Sequence, residues 1–481
     1  MTRGGSHAEG LAATGAMLLA ILLLTSPARA DYYRPSEARG LETRRFEVPG
    51  TGLHEECVIP QPFPGIPYTD DELAAQRETC RIDFYSEDEG STGVCPKLRS
   101  SNPGLEIYEI PPGRTRRAFE EQYCPQSIRR GATQTGVFKQ SITCSYTPSI
   151  LGYHQVGRVL DAGRVPPSVI RTMERGVHQR FVAIAIEHVR RRYGPGTLIR
   201  VAWERDWTQA HANPEGSRSK PFPRGVRASW LFSADHRFVY GAMVVGLRAR
   251  DVRDYREVSG KYDYPTRYQS FQQQAPYHRV VDAAPVSTKV RRDLASAAQR
   301  LVQMKDVSDL ALIDVLMRQQ DRVGNIGFRE RWYRWDGEAL TIRNYDTEGT
   351  EVPADAVKIR EMVLRDNDCG VAKSNLARRA GWLRKLSHLS PETYRRVLWL
   401  EARANEPATA NWFFRELLFT ERDWQNFREN LTYAAATLRS RCRSGALRLD
   451  LDLEVHLRGE SAESACEPPE GWAPGPSPLA P

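Results

Sequence analysis

The sequence predicts an α+β fold with two lobes, because segments typical of strands come first and helical patterns follow. Short runs rich in β-branched and aromatic residues occur between residues 135 and 247, and beyond Thr288 apolar residues recur at helical spacing. The composition, 40% hydrophobic and 27% charged, is that of a globular chain. We therefore expect a strand-rich N-lobe and a helical C-lobe, preceded by a segment rich in cysteine and loops.

The first thirty residues have the pattern of a signal peptide. A weakly positive start at Arg3 precedes a short apolar core over residues 16–24, and the Ala-Arg-Ala triplet at 28–30 supplies small residues before Asp31. The core is shorter than the roughly 20 apolar residues that span a bilayer, and no later stretch approaches that length. We expect cleavage before Asp31 and a secreted or periplasmic chain with no membrane span.

The charge distribution argues against a nucleic-acid-binding protein, and the cysteine spacing argues against a zinc site. The formal net charge is +8, and removing residues 1–30, with two arginines and one glutamate, leaves +7. This charge is spread over segments of mixed sign, whereas a nucleic-acid site would be clustered. Eight cysteines in an exported chain favour disulfides, and the CxxC pairs typical of zinc sites do not occur in the sequence.

Composition also divides the chain. Residues 31–125 are rich in Pro, Gly, Glu and Cys with little periodicity, which predicts a loop-rich segment tied by disulfides. Residues 126–460 form the predicted folded domain, with an N-lobe over about 126–250 and a C-lobe over about 280–460. The tail, 461–481, is rich in Pro and Glu and is predicted to be disordered.

Periodicity predicts the elements of the folded domain. A strand over 135–144 leads into a helix that begins at Thr147-Pro148 and ends at Gly163. The other N-lobe elements are predicted as a helix over 177–193, a strand over 198–203, and a hairpin of 228–232 with 238–247. The helices predicted for the C-lobe cover 289–304, 307–319, 377–386, 391–404 and 424–441.

The strongest local signal is the segment 309–325, DLALIDVLMRQQDRVGN. Its apolar residues form one helical face, and the helix runs into a polar loop that carries Asp321 and Asn325. Phosphoryl transfer needs a carboxylate that orients the attacking hydroxyl, and oxygen ligands that hold Mg²⁺ or Mn²⁺. Taken alone, such a loop is more often an ordinary helix end.

A second acidic loop follows a predicted buried strand that ends at Leu364. Asp366 and Asp368 place two carboxylates on one short turn, where they repel each other unless a cation or hydrogen-bond donors compensate. The alternative is an Asx-turn that caps the next segment. A P-loop is excluded, because Asn367 and Ala372 stand where glycine is required.

A third candidate is Lys139, which ends a strand pattern. In a kinase N-lobe a strand lysine binds the α- and β-phosphates. By itself such a lysine is more often a solvated edge residue. The order of strand lysine, helix, hairpin, Asp/Asn loop and strand-borne Asp is the order of the parts of a kinase.

In detail the sequence resembles the secretory-pathway kinase family that includes the Golgi casein kinase and four-jointed. VGRVLDAGRVPP (156–167) is similar to the family's helix, basic turn and Val-Pro-Pro. DLALIDVLMRQQDRVGN resembles its catalytic helix and Asp-Arg loop, and RDNDCGVAK (365–373) its metal segment. LRSRC (438–442) falls where the family has a cysteine in its last long helix. The resemblance covers about residues 126–455.

The resemblance implies a role for individual residues. Asp321 matches the family's catalytic Asp, Asp366 its metal-binding Asp and Lys139 its phosphate-binding Lys. Asn325 is implied as a second metal ligand. Asp368 has no clear counterpart and is a possible further site residue.

The sequence departs from the family pattern at the acid that would pair with Lys139. The family has a Glu early in the helix before Val-Pro-Pro, and Ile150 stands at that position. We therefore expect an acid from outside this helix to approach Lys139, with Glu120 or Glu121 as the favoured candidates.

The implied activity is that of an exported kinase, which transfers the γ-phosphoryl group of ATP with Mn²⁺ or Mg²⁺. The favoured acceptor is Ser or Thr of an exported or surface protein, with a sugar hydroxyl as the alternative. The rival interpretation, which Ile150 supports, is a pseudokinase that binds a nucleotide or a protein without turnover. The resemblance also implies a disulfide between Cys369 and Cys442, which would tie the metal segment to the C-lobe.

Overall fold

The computed structural model describes most of the chain beyond the predicted signal peptide. The described residues are 33–35, 37, 39–86, 92–126, 131–245, 252–260, 267–322, 324–345, 349–460 and 465–475. The signal peptide and its cleavage site lie outside them. In this part of the chain, no helix has both the length and the apolar character needed to cross a bilayer.

The N-lobe is built on one sheet of seven strands. In chain order they are β1 Glu42–Val48, β2 Leu53–Ile59, β3 Thr92–Pro96, β4 Gly104–Glu109, β5 Thr133–Lys139, β6 Ser168–Glu174 and β7 Phe238–Val245. Their order across the sheet is β1-β2-β6-β7-β5-β4-β3, and every neighbouring pair is antiparallel. β5, which ends at Lys139, is therefore an inner strand between β4 and β7.

Helices cover both faces of this sheet. They are α1 Asp70–Thr79, α2 Arg116–Tyr123, α3 Thr147–Leu160, α4 Arg175–Arg192, α5 Leu198–Arg200 and α6 Thr208–Ala212, with a π-helix over Val201–Trp207. Phe181 and Val182 of α4 share a hydrophobic core with Phe138 and Met243 of the sheet. Every residue of α3 is buried, because this helix lies between the sheet and the helices of the C-lobe.

The C-lobe consists of helices around a small second sheet. The helices are α7 Arg256–Ser259, α8 Arg267–Gln272, α9 Ala275–Val281, α10 Val286–Lys289, α11 Leu294–Met317, α12 Leu376–Arg379, α13 Trp382–Lys385, α14 Pro391–Arg403, α15 Pro407–Glu416, α16 Glu421–Arg443 and α17 Leu453–Arg458. The strands are β8 Arg253–Asp254, β9 Ile326–Trp335, β10 Leu340–Arg343 and β11 Val357–Leu364. β9 lies between β10 and β11, and β8 also pairs with β9.

The central helix of the C-lobe is α11. The Asp293 side chain caps its first turn by accepting a hydrogen bond from the amide of Ser296, and its second half is buried on all sides. The helix ends at Arg318, whose φ of 58° lies in the left-handed region. This end leads directly into the loop that carries Asp321.

The predicted α+β class, with a strand-rich N-lobe and a helical C-lobe, is confirmed. Several predicted elements were wrong in detail. The strand predicted over 198–203 is helical, because Trp203 and Trp207, four residues apart, are both fully buried on one helical face. The first half of the predicted hairpin is mostly a 3₁₀ turn at Ala228–Trp230, and only Phe232 forms an antiparallel bridge, with Val239. β7 pairs along its length with β5 and β6.

The C-lobe helices also differ from the prediction. The two helices predicted over 289–304 and 307–319 are one continuous helix, α11. The helix predicted over 377–386 is broken into α12 and α13 at Gly381, whose φ of 68° belongs to the left-handed region.

The segment 31–125 is Cys-rich as predicted, but the prediction of a loop-rich segment was wrong. It contributes β1 to β4, four of the seven strands of the large sheet. Disulfides Cys57–Cys80 and Cys95–Cys124 tie it together. Its strands lack simple alternation because residues on both faces of β2 to β4 are largely buried.

The other two disulfides correct the predicted pairing. Cys369 is bonded to Cys144 and Cys442 to Cys466, so the Cys369–Cys442 bridge was wrong. Residues 465–475 of the tail predicted to be disordered lie on the C-lobe. There Arg396 of α14 donates a hydrogen bond to the carbonyl of Gly475 at 2.7 Å.

Candidate functional site

A buried lysine lies between two carboxylates where the sheet meets the C-lobe. The Nζ of Lys139 donates hydrogen bonds to Oδ1 of Asp366 at 2.6 Å and to Oδ2 of Asp368 at 2.8 Å. The side chains of Lys139 and Asp368 are 5% and 2% exposed, whereas that of Asp366 is 43% exposed. One carboxylate therefore belongs to the interior and the other faces the cleft.

The charges in this cluster stabilise one another. The neighbouring Lys139, followed by Lys97, holds the pKa of Asp366 well below its ordinary value. Burial alone would lower the pKa of Lys139, but Asp366 and Asp368 outweigh it and hold that pKa above its usual value. Lys139 and Asp366 therefore form a charged ion pair at physiological pH.

The acidic loop begins where β11 ends. The amide of Leu364 donates to the carbonyl of Arg164, and the amide of Arg365 donates to the carbonyl of Asn325 at 3.0 Å. Asp366 then adopts a φ of 47°, a region that non-glycine residues rarely occupy. Such backbone strain persists only where the surroundings impose it, and it concentrates at functional sites.

A second buried ion pair joins the two candidate loops. Arg322, which follows Asp321, contacts both carboxylate oxygens of Asp314 on α11, and each of these two side chains is 1% exposed. The same guanidinium donates to Oδ1 of Asn367 at 2.8 Å and to the carbonyl of Arg365 at 2.9 Å. Arg322 therefore fixes the Asp321 loop against the loop that carries Asp366.

Asp321 and Asn325 lie on this fixed loop. The side-chain amide of Asn325 donates to the carbonyl of Asp321 at 2.7 Å, and the amide of Asp321 donates to Oε1 of Gln319. Gln319 in turn donates to the carbonyl of Asp366. The structure thus places Asp321, Asn325 and Asp366 on adjoining loops.

The disulfide Cys144–Cys369 closes the back of the site. It joins the segment after β5 to the acidic loop, with a Cα–Cα distance of 5.2 Å. Next to it, a Cβ on Gly370 would lie 2.6 Å from both the Met317 carbonyl and the Ser149 hydroxyl. Only glycine allows this close packing of the loop against α3 and α11.

Ile150 stands at the helix position where the resembling family has a glutamate, and it lies beside Lys139 and Asp366. Ile150 lines a small cavity, of about 30 Å³, between the lobes. The cavity is lined by Val137, Lys139, Ile150, Val165, Pro166, Val244, Leu364, Arg365, Asp366 and Asn367. Most of its lining residues are apolar, and Lys139 and Asp366 are among the others. Its volume is large enough for a water molecule and too small for a nucleotide base.

The predicted partners of Lys139 were partly wrong. An acid from outside α3 does approach the lysine, but it is Asp366 together with Asp368 and not Glu120 or Glu121. Glu120 accepts from the amide of Val94 and pairs with Arg180, and Glu121 pairs with Arg117. α2 lies at the β3 edge of the sheet, away from the end of β5.

The donor set fits a hard divalent cation bound together with a ligand. Within the described part of the chain, no three His, Cys, Asp or Glu residues form a group able to hold a metal. Mg²⁺ and Mn²⁺ sites of kinases use one or two protein oxygens, with phosphates and waters as the remaining ligands. The half-exposed carboxylate of Asp366 and the side-chain oxygen of nearby Asn325 are suitable for that role.

Similarity to known proteins is found in structure and not in sequence. No protein-family model matches the sequence, and no curated protein matches it at a significant level. The crystal structure of the Golgi casein kinase with Mn/ADP bound is similar, with 12% identity and a TM-score of 0.40 over 77% of this chain and 76% of that one. A second crystal structure of the Golgi casein kinase has 12% identity and a TM-score of 0.41 over 79% and 80%.

Sequence reasoning missed two residues of the site. Lys97, in the turn after β3, lies 4.0 Å from Asp366 and supplies a second cation. Arg322 organises both loops, and its position next to Asp321 in the sequence was the available signal. Lys97 carries no local signal, because its place over the cleft follows from the pairing of β3 with β4 and β4 with β5.

Proposed function

We propose that the chain is an exported phosphotransferase that transfers the γ-phosphoryl group of ATP to a hydroxyl group. The favoured acceptor is a serine or threonine of an exported or surface protein, and a sugar hydroxyl is the alternative. The observation that carries this proposal is the buried ion pair of Lys139 with Asp366, next to the fixed loop of Asp321. Kinases also use a strand lysine, a metal-binding Asp and a loop Asp that orients the acceptor, but there the lysine pairs with a helix Glu.

The two lysines support binding of phosphates. Lys139, at the end of β5, and Lys97, just after β3, approach Asp366 at 2.6 Å and 4.0 Å. A divalent cation on Asp366 would compete with both ammonium groups, which would then be available to phosphate oxygens. Mn²⁺ or Mg²⁺, when bound, would neutralise charge on the phosphates.

The apolar end of the cavity supports binding of a base. Val137 and Val244 of the sheet and Leu364 of the C-lobe line it from opposite sides. Ligand pockets are commonly apolar with a few polar groups that fix orientation. Because the cavity is only about 30 Å³, a nucleotide requires the lobes to separate.

Asp321 is assigned the role of orienting the acceptor hydroxyl. Its loop is fixed by Arg322 and by the hydrogen bond from Asn325 to its own carbonyl. A positioned general base contributes about a hundredfold to ten-thousandfold to a rate. The Asp321→Asn variant should therefore lose at least about a hundredfold in turnover while its nucleotide affinity stays close to that of the native protein.

A pseudokinase is the second candidate, and Ile150 favours it. This side chain is buried and lines the cavity beside Lys139, so α3 provides no carboxylate to replace Asp366 when a cation binds. In that case the chain would bind a nucleotide or a protein without transfer.

One experiment distinguishes these functions. Purified mature protein is incubated with γ-labelled ATP and Mn²⁺ or Mg²⁺, with and without casein, and transfer and nucleotide affinity are both measured. Transfer that is lost in Asp321→Asn, together with weaker metal-dependent binding in Asp366→Ala, supports the enzyme. The control is Asp71→Asn, because Asp71 is an exposed residue of α1. Nucleotide binding without transfer supports the pseudokinase, and absence of both overturns the proposal.

A further inference from the structure

A basic pocket lies on the C-lobe beside the end of α11. It has a volume of about 550 Å³ and is lined by Arg318, Ser374, Arg378, Arg379, Arg384 and Tyr433, together with one asparagine. No carboxylate is among its lining residues. Arg318 of this pocket follows α11 and precedes the Asp321 loop, whereas its lining residues between 374 and 384 belong to the segment after Asp368.

The four arginines form a cluster of net positive charge. Buried arginines elsewhere in the structure pair directly with an acid, as Arg158 does with Glu72, Arg164 with Glu361 and Arg322 with Asp314. Among the described residues, none of these four has a carboxylate oxygen within 4.0 Å. Glu429 and Asp423 act on Arg318 without forming an ion pair with it, and four guanidinium groups around one concave surface leave a net positive potential that attracts an anion.

Arg378 is held in place for such a ligand. Its guanidinium stacks on the ring of Tyr433 at 4.3 Å and donates one hydrogen bond to Oδ1 of Asn430 at 3.0 Å. A planar group fixed in this way loses little freedom on binding, and its remaining donors match the geometry of phosphate oxygens.

Arg318 provides the most direct evidence for an anion site. Its Nε is buried without a hydrogen-bond partner in the described residues. Burial, followed by the neighbouring Arg422, lowers the pKa of its guanidinium. A buried donor of a charged group without a partner is unfavourable, and an anion in the pocket would relieve it.

We propose that this pocket, formed by Arg318, Arg378, Arg379 and Arg384, is a binding site for a phosphate group. The hydroxyls of Ser374 and Tyr433 add neutral donors of the kind that complete phosphate sites. The phosphate could belong to a phosphorylated polypeptide or to a small molecule. The site is separate from Lys139 and does not depend on phosphotransferase activity.

The pocket is coupled mechanically to the candidate active site. Asn375, which also lines it, donates to the carbonyl of Val315 on α11 at 2.8 Å and caps α12. Arg318 precedes Asp321 by three residues, so their Cα atoms are at most about 11 Å apart. A bound phosphate would therefore hold both chain segments that lead to the acidic and catalytic loops.

Binding is tested by calorimetry with the full mature chain. Inorganic phosphate, pyrophosphate and a short phosphoserine peptide are titrated at low salt and again at 0.3 M NaCl. The Arg379→Gln/Arg384→Gln double variant changes two exposed residues and should keep the native melting temperature. We expect saturable binding to the native protein and affinity at least about tenfold weaker in the variant.

The matched control is Arg192→Gln/Arg218→Gln, which removes the same charge from two exposed sites on the N-lobe. It should bind like the native protein. Tighter binding of the peptide would identify a phosphorylated polypeptide as the ligand, and tighter binding of pyrophosphate a small molecule. The proposal is overturned if no probe binds saturably, or if both double variants lose affinity equally.

Discussion

Replacing Lys139 with methionine would leave two acidic side chains facing each other without their cation. Asp368 is 2% exposed and cannot recover water, whereas Asp366 is 43% exposed and can do so in part. Breaking a buried ion pair by removal of one partner costs about 3–5 kcal/mol. Because one of the two carboxylates is half solvated, we expect the free energy of unfolding to fall by an amount at the lower end of this range, about 3 kcal/mol at pH 7.

The loss should depend on pH in a defined direction. Lys139 holds the folded-state pKa of Asp366 below its ordinary value. The stabilisation is therefore present above the unfolded pKa, near about 4, and is lost as the pH falls through the lower folded value. The stability difference between native protein and variant should be constant from pH 8 to pH 5 and should shrink below about pH 4.

The assay is a thermal melt followed by intrinsic fluorescence, with and without Mn²⁺. A loss of about 3 kcal/mol corresponds to a fall in Tm of about 5 °C.

The matched control is Lys97→Met, because Lys97 is half-buried at 4.0 Å from Asp366 and should account for about 1 kcal/mol or less. Mn²⁺ should raise the Tm of Lys139→Met more than that of the native protein, since the cation replaces the ammonium group. An unchanged Tm in Lys139→Met, or a variant that ignores Mn²⁺, would refute the assignment.

Three further predictions concern the supports of the site. Arg322→Leu should lose about 3–5 kcal/mol in urea unfolding because it leaves Asp314 buried and unpaired, and Arg322→Lys should lose less because the charge remains. The Cys144→Ser/Cys369→Ser variant should lose about 2–4 kcal/mol, and non-reducing peptide mapping of the native protein should recover these two cysteines in one linked peptide. Burial raises the pKa of Asp306 to about 8, so its contribution to stability is full below the unfolded pKa and is lost as the pH rises through 8. The Tm of Asp306→Asn should therefore come closest to the native Tm near about pH 4 and exceed it by a growing margin as the pH rises to 9.

The features that local patterns determine could be predicted. The helix that begins at Thr147, the strand that ends at Leu364 and the loop with Asp321 depend on caps, periodicity and turn residues within a few positions. These patterns also placed Asp366 directly after a buried strand. For this reason the order of the candidate loops along the chain was accessible before the structure.

The features that depend on distant parts of the chain could not be predicted. Asp368 pairs with a lysine 229 residues away, and its burial follows from the packing of the acidic loop against α3 and α11. Eight cysteines allow about 105 connectivities, so the partner of Cys369 was beyond local reasoning. The apolar run at 198–203 fits a strand or a buried helix, and only the position of Trp207 one turn later favours the helix.

The Cys144–Cys369 bond has a consequence for how the protein is made. The chain emerges from its N-terminus, so Lys139 is exposed long before Asp366, and the bond cannot form until a further 225 residues have followed Cys144. Disulfides of this kind form in oxidising compartments and not in the reducing cytosol. A chain retained in a reducing compartment would therefore lack the covalent link between the two halves of the site, and complete assembly of the site would require the finished chain to reach an oxidising compartment.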